Sequence, residues 1–144
     1  MPRLAKFLKL SVPDKLLLLY CSLVVALVRI GLSLCSYRTL SRRLQKRATH
    51  VAVDDDMARR IVWAVTHSAK IIPRASCLTK AFAAQYLLAR AGYQSEMRVG
   101  VARDAEGRFL AHAWLIRDGR VLMGGPDEEL RRYAKLTDFS PGPP

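Results

Sequence analysis

The hydrophobic period of this chain changes once, near Gly92, and this change restricts its possible folds more than any other feature. Before Gly92 apolar residues recur at helical spacing, whereas from Met97 onward they alternate with polar or small residues, as strands require. Helices followed by strands that are joined by short turns predict an α+β fold with an antiparallel sheet.

Two helices are predicted just before the change. The first begins at the acidic run 54–56, where the helix dipole favours negative charge, and ends before Pro73. The second begins near Cys77 and ends at Gly92, a favourable C-cap. This interpretation places Cys77 in the first turn of an amphipathic helix.

Three strands are predicted after Gly92, with tight turns between them. The second carries His112 on one face together with Trp114, and Asp118-Gly119 is a strong hairpin signal that returns the chain as a third strand. A short helix over 127–133 and a frayed proline-rich end are expected to follow. The predicted strands cover residues 96–101, 110–116 and 120–123.

The apolar run Leu16–Val28 dominates the N-terminal part of the chain. It predicts one long helix over 13–34, which is too short in unbroken apolar residues for a clean membrane span. Burial against other helices is the favoured interpretation. Peripheral contact with a membrane or with a partner protein is the alternative, because cations flank the run.

Positive charge is concentrated in the same region. Residues 1–50 contain ten Lys or Arg and one acid, whereas residues 51–144 are nearly balanced. We therefore expect a basic helical N-terminal segment over 1–50 and a separate folded domain over 51–144. Residues 37–47 form a cationic helix face, but they match no nucleic-acid motif, so a nucleic-acid partner is not expected.

The chain has three cysteines, and their number and spacing argue against a structural role in cross-linking. An odd count without any CxxC pair excludes a dense disulfide framework, and no paired Cys and His spacing indicates zinc. Reduced thiols in a cytoplasmic protein are the simplest interpretation.

Cys77 and His112 together suggest nucleophilic catalysis. The positive end of a helix dipole stabilises a thiolate at Cys77, Lys80 adds a cation one turn later, and a strand histidine can act as the base. Taken singly, Cys77 would more often be a small buried residue and His112 a hydrogen-bonded core histidine. The combination makes the catalytic interpretation about as strong as the structural one.

Several short stretches around this pair form a recognisable set: Cys77-Leu78-x-x-Ala81, Gly92-Tyr93, Glu96-Met97-Arg98-Val99-Gly100-Val101, Ala111-His112-Ala113-Trp114 and Asp118-Gly119-Arg120-Val121. Together they resemble the lasso-peptide B-protein leader peptidases of the transglutaminase-like cysteine protease superfamily, in their free-standing form. The resemblance covers roughly residues 55–135, and the predicted helices of 1–50 are similar to that form's appended segment.

The resemblance implies a papain-like or transglutaminase-like core, with the nucleophile on a helix N-terminus and the histidine on the sheet. It implies removal of the leader from a ribosomally made precursor peptide, before a separate cyclase closes the lactam ring. No metal or organic cofactor is needed for this chemistry. The family recognises its precursor with a small winged-helix-like domain, and residues 1–50 lack the strand pattern of such a domain. A separate leader-recognition protein is therefore the expected partner, and the cyclase is a further possible partner.

The third catalytic position departs from the family's Cys-His-Asp pattern. A two-residue hairpin at Asp118-Gly119 makes His112 face Gly124 and Gly125, where no carboxylate stands. Asp127 lies just beyond this position and is our choice to orient the imidazole, while Asp118 is expected to serve the turn. A backbone carbonyl or Gln85, otherwise taken as a surface residue, are the alternatives.

Two other functions remain open at this stage. The chain could be a non-catalytic interaction protein that docks a membrane or a partner through its basic helices. It could also transfer an acyl group to an amine with the same cysteine.

Overall fold

The computed structural model of the chain describes residues 2–34, 39, 54–72, 76–125 and 133–139. The helices are α1 Pro2–Leu8, α2 Val12–Leu34, α3 Asp55–Ala69 and α4 Cys77–Arg90. The strands are β1 Glu96–Arg103, β2 Phe109–Arg117, β3 Arg120–Met123 and β4 Ala134–Phe139. Helices precede strands, so the predicted α+β class is confirmed.

The ends of α3 and α4 are set by local hydrogen bonds. The Asp54 carboxylate accepts from the Met57 N–H at 2.8 Å and caps α3. Gly92, at φ +78°, ends α4 in the left-handed conformation, and the Tyr93 N–H donates to the Leu88 carbonyl at 2.8 Å. Both helices therefore begin and end close to the predicted residues.

Within the described residues the strands form one antiparallel sheet in the order β3-β2-β1-β4. Asp118 and Gly119 take φ values of +49° and +78° and form the predicted two-residue hairpin between β2 and β3. Strand β4, which pairs with β1, was not predicted. The short helix expected over 127–133 lies outside the described residues except for its last residue.

Helix α2 belongs to the same hydrophobic core as α3 and α4. Its buried face consists of Cys21, Val24, Val25 and Val28. Most of the leucines of α2 lie on other sides and are exposed. The predicted burial therefore holds for one face only. By length and composition α2 could also cross a membrane, with a mean hydropathy of 2.2 over its most apolar window. The domain division at residue 50 stays a prediction.

Polar contacts also hold α2 against α3. The hydroxyls of Ser22 and Ser68 both donate to the Leu18 carbonyl, at 2.7 and 3.2 Å, and lie 3.1 Å from each other. At the start of α2, the Arg60 guanidinium forms an ion pair with Asp14 at 2.6 Å. The position of α2 along α3 is thus specified by directional bonds as well as by packing.

If α2 is part of the core, Val25→Ala should lower the free energy of unfolding by about 1.5–3 kcal/mol, the value of burying a valine side chain. Val25 has no exposed surface. Leu27→Ala is the matched control on the same helix, because Leu27 is 58% exposed. Urea unfolding of both variants measures the difference, and equal small losses would show that α2 contributes no core packing.

Candidate active site

Ser76 caps the N-terminus of α4. Its hydroxyl accepts from the Thr79 N–H at 3.2 Å, and its carbonyl accepts from the Lys80 N–H at 3.0 Å. These bonds fix the first turn, so that Cys77 is the first helical residue and is partly exposed. Within the described part of the chain the Cys77 N–H has no acceptor, as is usual for the first N–H groups of a helix. It is available to a ligand.

His112 lies on β2, between two packed clusters. Ala113 and Leu115 point into the helical core, whereas Trp114 belongs to a second cluster that includes Tyr133. The imidazole of His112 is half-buried, with its centroid 5.3 Å from the Tyr133 ring and 6.0 Å from the Trp114 indole. The rings of Trp114 and Tyr133 therefore hold the imidazole on the face of β2 that carries Trp114.

The Gly124 carbonyl is the hydrogen-bond partner of this imidazole, at 2.5 Å from Nε2. A carbonyl oxygen can only accept, so Nε2 is the donor and Nδ1 carries the lone pair of the neutral ring. Gly124 has φ +121°, and a Cβ at this position would lie 2.3 Å from Cβ of Trp114. Only glycine fits here without displacing the strand, so the hydrogen bond to His112 depends on it.

Cys77 and His112 line one cleft of about 390 Å³. Lys80 and Gly124 also line it, which places a cation and the imidazole's acceptor beside the two predicted catalytic residues. Among the described residues no hydrogen bond joins the Cys77 thiol to His112, whose imidazole packs beside Trp114 and Tyr133. Catalytic hydrogen bonds often tighten only when substrate binds. The other lining residues are Val62, Thr66, Ala113, Val121, Leu122, Met123 and Gly125.

A second cavity of about 580 Å³ adjoins this cleft, and Val62, Val121 and Leu122 line both. On its far side the Arg117 guanidinium lies 3.8 Å from the centre of the Tyr93 ring. The Tyr93 hydroxyl donates to Asp55 at 2.9 Å, and burial together with this contact raises the pKa of the phenol. The two cavities are neighbouring parts of one surface depression.

Of the other cysteines and histidines that the structure describes, neither Cys21 nor His67 lines the cleft. Cys21 is completely buried in the core, and burial raises the pKa of its thiol to about 11. His67 is exposed, with Nδ1 at 2.8 Å from the carbonyl of Trp63. Cys35 and His50 lie outside the described residues. Among the residues the structure describes, no three His, Cys, Asp or Glu side chains are grouped as a metal site.

Of the side chains considered for the third catalytic position, the structure describes Asp118 and Gln85. Asp118 occupies the hairpin turn and lines the second cavity, not the cleft of Cys77. Asp127 lies outside the described residues, so its role stays a prediction. The description of Gln85 as a surface residue was wrong: it is 7% exposed, and its amide donates to the Ser95 carbonyl. Its helix is covered on that side by the start of the sheet.

The structure adds Tyr133 to the residues around the imidazole. No sequence signal indicates it, because it follows the last predicted strand by ten residues and was assigned to a short helix. The neighbourhood of Gly124 and Gly125, in contrast, follows from counting residues around the Asp118-Gly119 hairpin, and a bulge at Leu115 and Ile116 places Gly124 beside Trp114.

Comparison with known proteins gives the class of this chain. The family model of the transglutaminase-like superfamily matches residues 19–138, and the chain therefore belongs to that superfamily. The superfamily includes cysteine proteases and acyltransferases. No curated protein and no solved structure matches the chain. The match begins inside α2, so it includes a helix that the sequence interpretation placed in an appended segment.

The geometry around Gly124 predicts a specific sensitivity. Gly124→Ala should lower the free energy of unfolding by roughly 1–3 kcal/mol, because the new methyl group overlaps Trp114. It should also displace the carbonyl from His112, which the nitrogen shifts of the imidazole in an NMR spectrum would report.

Gly107→Ala is the matched control. Gly107 also has a positive φ, +78°, but a Cβ there has no atom within 4 Å. Gly107→Ala should lower the free energy of unfolding by about 1–2 kcal/mol, through backbone strain alone. It should leave the nitrogen shifts of His112 unchanged. A Gly124→Ala spectrum identical to that of the wild type would contradict the assigned hydrogen bond.

Proposed function

We propose that this protein is a cysteine peptidase that removes the leader from a lasso-peptide precursor. The observation that carries the proposal is the shared cleft, which brings Cys77 at a helix N-terminus and His112 on the sheet to one solvent-accessible place. Membership of the transglutaminase-like superfamily supports the reaction type. The resemblance of the Cys77 and His112 motifs to lasso leader peptidases supports the substrate.

In the proposed first step, the Cys77 sulfur attacks the carbonyl carbon of the scissile bond after His112 Nδ1 has taken the thiol proton. The oxyanion that forms accepts a hydrogen bond from the Cys77 N–H. The C–N bond then breaks, and the imidazolium donates its proton to the departing nitrogen. The core peptide leaves with a free N-terminal amine, while the leader remains as a thioester on Cys77.

In the second step, His112 deprotonates a water molecule that attacks the thioester. The leader leaves with a free carboxylate, and the proton returns to the Cys77 sulfur. Throughout both steps the Gly124 carbonyl holds Nε2–H and thereby keeps Nδ1 as the base. The released amine is the group that a cyclase needs for lactam closure.

An extended peptide needs space on both sides of the scissile bond. The cleft and its neighbouring cavity supply about 390 and 580 Å³, and both share the wall formed by Val62, Val121 and Leu122. We assign the two cavities to the two sides of the substrate. A lining of apolar side chains with charges of both signs can hold a peptide, but it has few features that would select one leader sequence.

Variants of the catalytic pair test the proposal. Cys77→Ala should abolish cleavage of the precursor, and His112→Ala should lower the rate ~10²–10⁴-fold, as for other positioned acid–base groups. The assay is incubation with the precursor peptide and the leader-recognition protein, read by mass spectrometry.

Cys21→Ala and His67→Ala are the controls, since both residues lie away from the cleft, and they should retain activity. Turnover by Cys77→Ala would exclude a cysteine peptidase. If the leader were released as an amide of an added amine, instead of as a free carboxylate, the reaction would be acyl transfer. The absence of any Cys77-dependent product would favour a non-catalytic interaction protein.

Asp127→Asn and Asp118→Asn test the third position. If Asp127 orients the imidazole, its substitution should lower the cleavage rate while Asp118→Asn leaves it nearly unchanged. If the Gly124 carbonyl alone suffices, both variants should cleave at the wild-type rate, and only Gly124→Ala should be slow.

Leader recognition in trans is the other part of the proposal. We expect the isolated chain to bind leader peptide weakly and the separate recognition protein to raise the affinity. A titration of fluorescent leader peptide, with and without that protein, measures the difference. Tight binding by the isolated chain, unchanged by the added protein, would refute recognition in trans.

A further inference from the structure

Helix α2 has a second apolar face that nothing in the described structure covers. The side chains of this face are 44–79% exposed and are called here the α2 stripe. Its members are Val12, Leu16, Leu19, Tyr20, Leu23, Leu27, Ile30 and Leu34.

The stripe is continuous along the helix. At 100° per residue its members fall within an arc of about 100°, and they extend over about 33 Å from Val12 to Leu34. The buried face of α2, with Cys21 and Val28 at its centre, lies on a different side and packs on α3 and α4. A helix that is fixed in a core by one face cannot be surrounded by lipid, so α2 is suited to lie along a surface and not to cross it.

The residue types of the stripe favour lipid over protein as the occupant. Seven of its eight side chains are Val, Leu or Ile, and Tyr20 supplies the only side-chain hydroxyl. Protein interfaces are enriched in Trp, Tyr and Arg at their energetic centres, and leucine is under-represented there. Acyl chains, in contrast, require only an aliphatic surface with polar groups at its margins.

The charge around the stripe favours anionic lipid. Lys6 and Lys9 are exposed just before α2, and Lys15 and Arg29 are partly exposed on the helix itself. Asp14 is the only acid in residues 1–50, and its hydrogen bond from Ser11 and its ion pair with Arg60 lower the pKa of its carboxyl. The segment therefore offers cations without a competing free carboxylate.

We propose that the α2 stripe is a membrane-binding surface, which seats the protein on an anionic bilayer with α2 parallel to the membrane plane. Leu4 and Leu8 of α1, which are 60% and 63% exposed, extend the apolar surface ahead of α2. The stripe enters the boundary between headgroups and acyl chains, and the lysines contact lipid phosphates.

Flotation of the full chain with lipid vesicles tests this surface. We expect binding to vesicles made of equal parts of phosphatidylcholine and phosphatidylglycerol, and much weaker binding to phosphatidylcholine alone. Leu19→Glu combined with Leu23→Glu should lower the partition coefficient roughly tenfold or more, since two inserted leucines are lost. Lys6→Gln combined with Lys9→Gln should lower it roughly tenfold on the anionic vesicles only.

Ile71→Glu is the matched control, because Ile71 is 68% exposed and follows α3 instead of lying on the stripe. It should bind vesicles as the wild type does, and circular dichroism should show that all variants keep their helices.

Four results would overturn the proposal. Failure of the wild type to float with anionic vesicles, or equal binding by the double glutamate variant, would exclude the stripe as a membrane surface. If the wild type forms dimers and does not bind vesicles, and the double glutamate variant is a monomer, the stripe would be assigned to contact with a second copy of the chain. Resistance to carbonate extraction would show that α2 crosses the bilayer.

Discussion

The packing of α4 is the constraint on which the rest of the structure depends. It contacts α2, α3 and β2 at once, and eight of its fourteen residues are buried. Ala81, Ala83 and Ala84 let these neighbours approach closely, while Leu88 fills the centre of the core. Because α4 is held on several sides, its N-terminus has one position, and Cys77 is placed in the cleft by the core and not by a flexible loop.

Helices α2, α3 and α4 and the first three strands could be predicted because each has a local signal, whereas α1 was not singled out. Gly92 marks the end of α4, and Asp118-Gly119 requires a hairpin that brings the strand of His112 near Gly124 and Gly125. The sequence could not reveal β4 or the place of Tyr133, because their positions depend on pairing with β1, which is distant in the chain. It also could not show that Gln85 is buried, since only the tertiary contact with Ser95 accounts for a polar residue on the inner side of α4.

The two faces of α2 explain why its apolar run was difficult to interpret. A run that is apolar on every side is consistent with a core helix and with a membrane helix, and sequence periodicity does not separate them. In the fold the two sides of α2 differ: Cys21 and Val25 are buried, whereas Leu19 and Leu27 are exposed. The cleft of Cys77 and the helix that carries the exposed stripe therefore adjoin one continuous core.

The hydrogen bond between His112 and Gly124 has a consequence for how this site can vary during evolution. In a Cys-His-Asp site the orienting carboxylate is a side chain, which single substitutions can weaken, exchange or remove by degrees. Here the acceptor is a main-chain oxygen that every residue type possesses, and its position depends on the absence of a side chain at residue 124. This contact of the imidazole is thus encoded by backbone shape. Homologues that keep it should carry a glycine at this strand end, whichever residue occupies the third catalytic position.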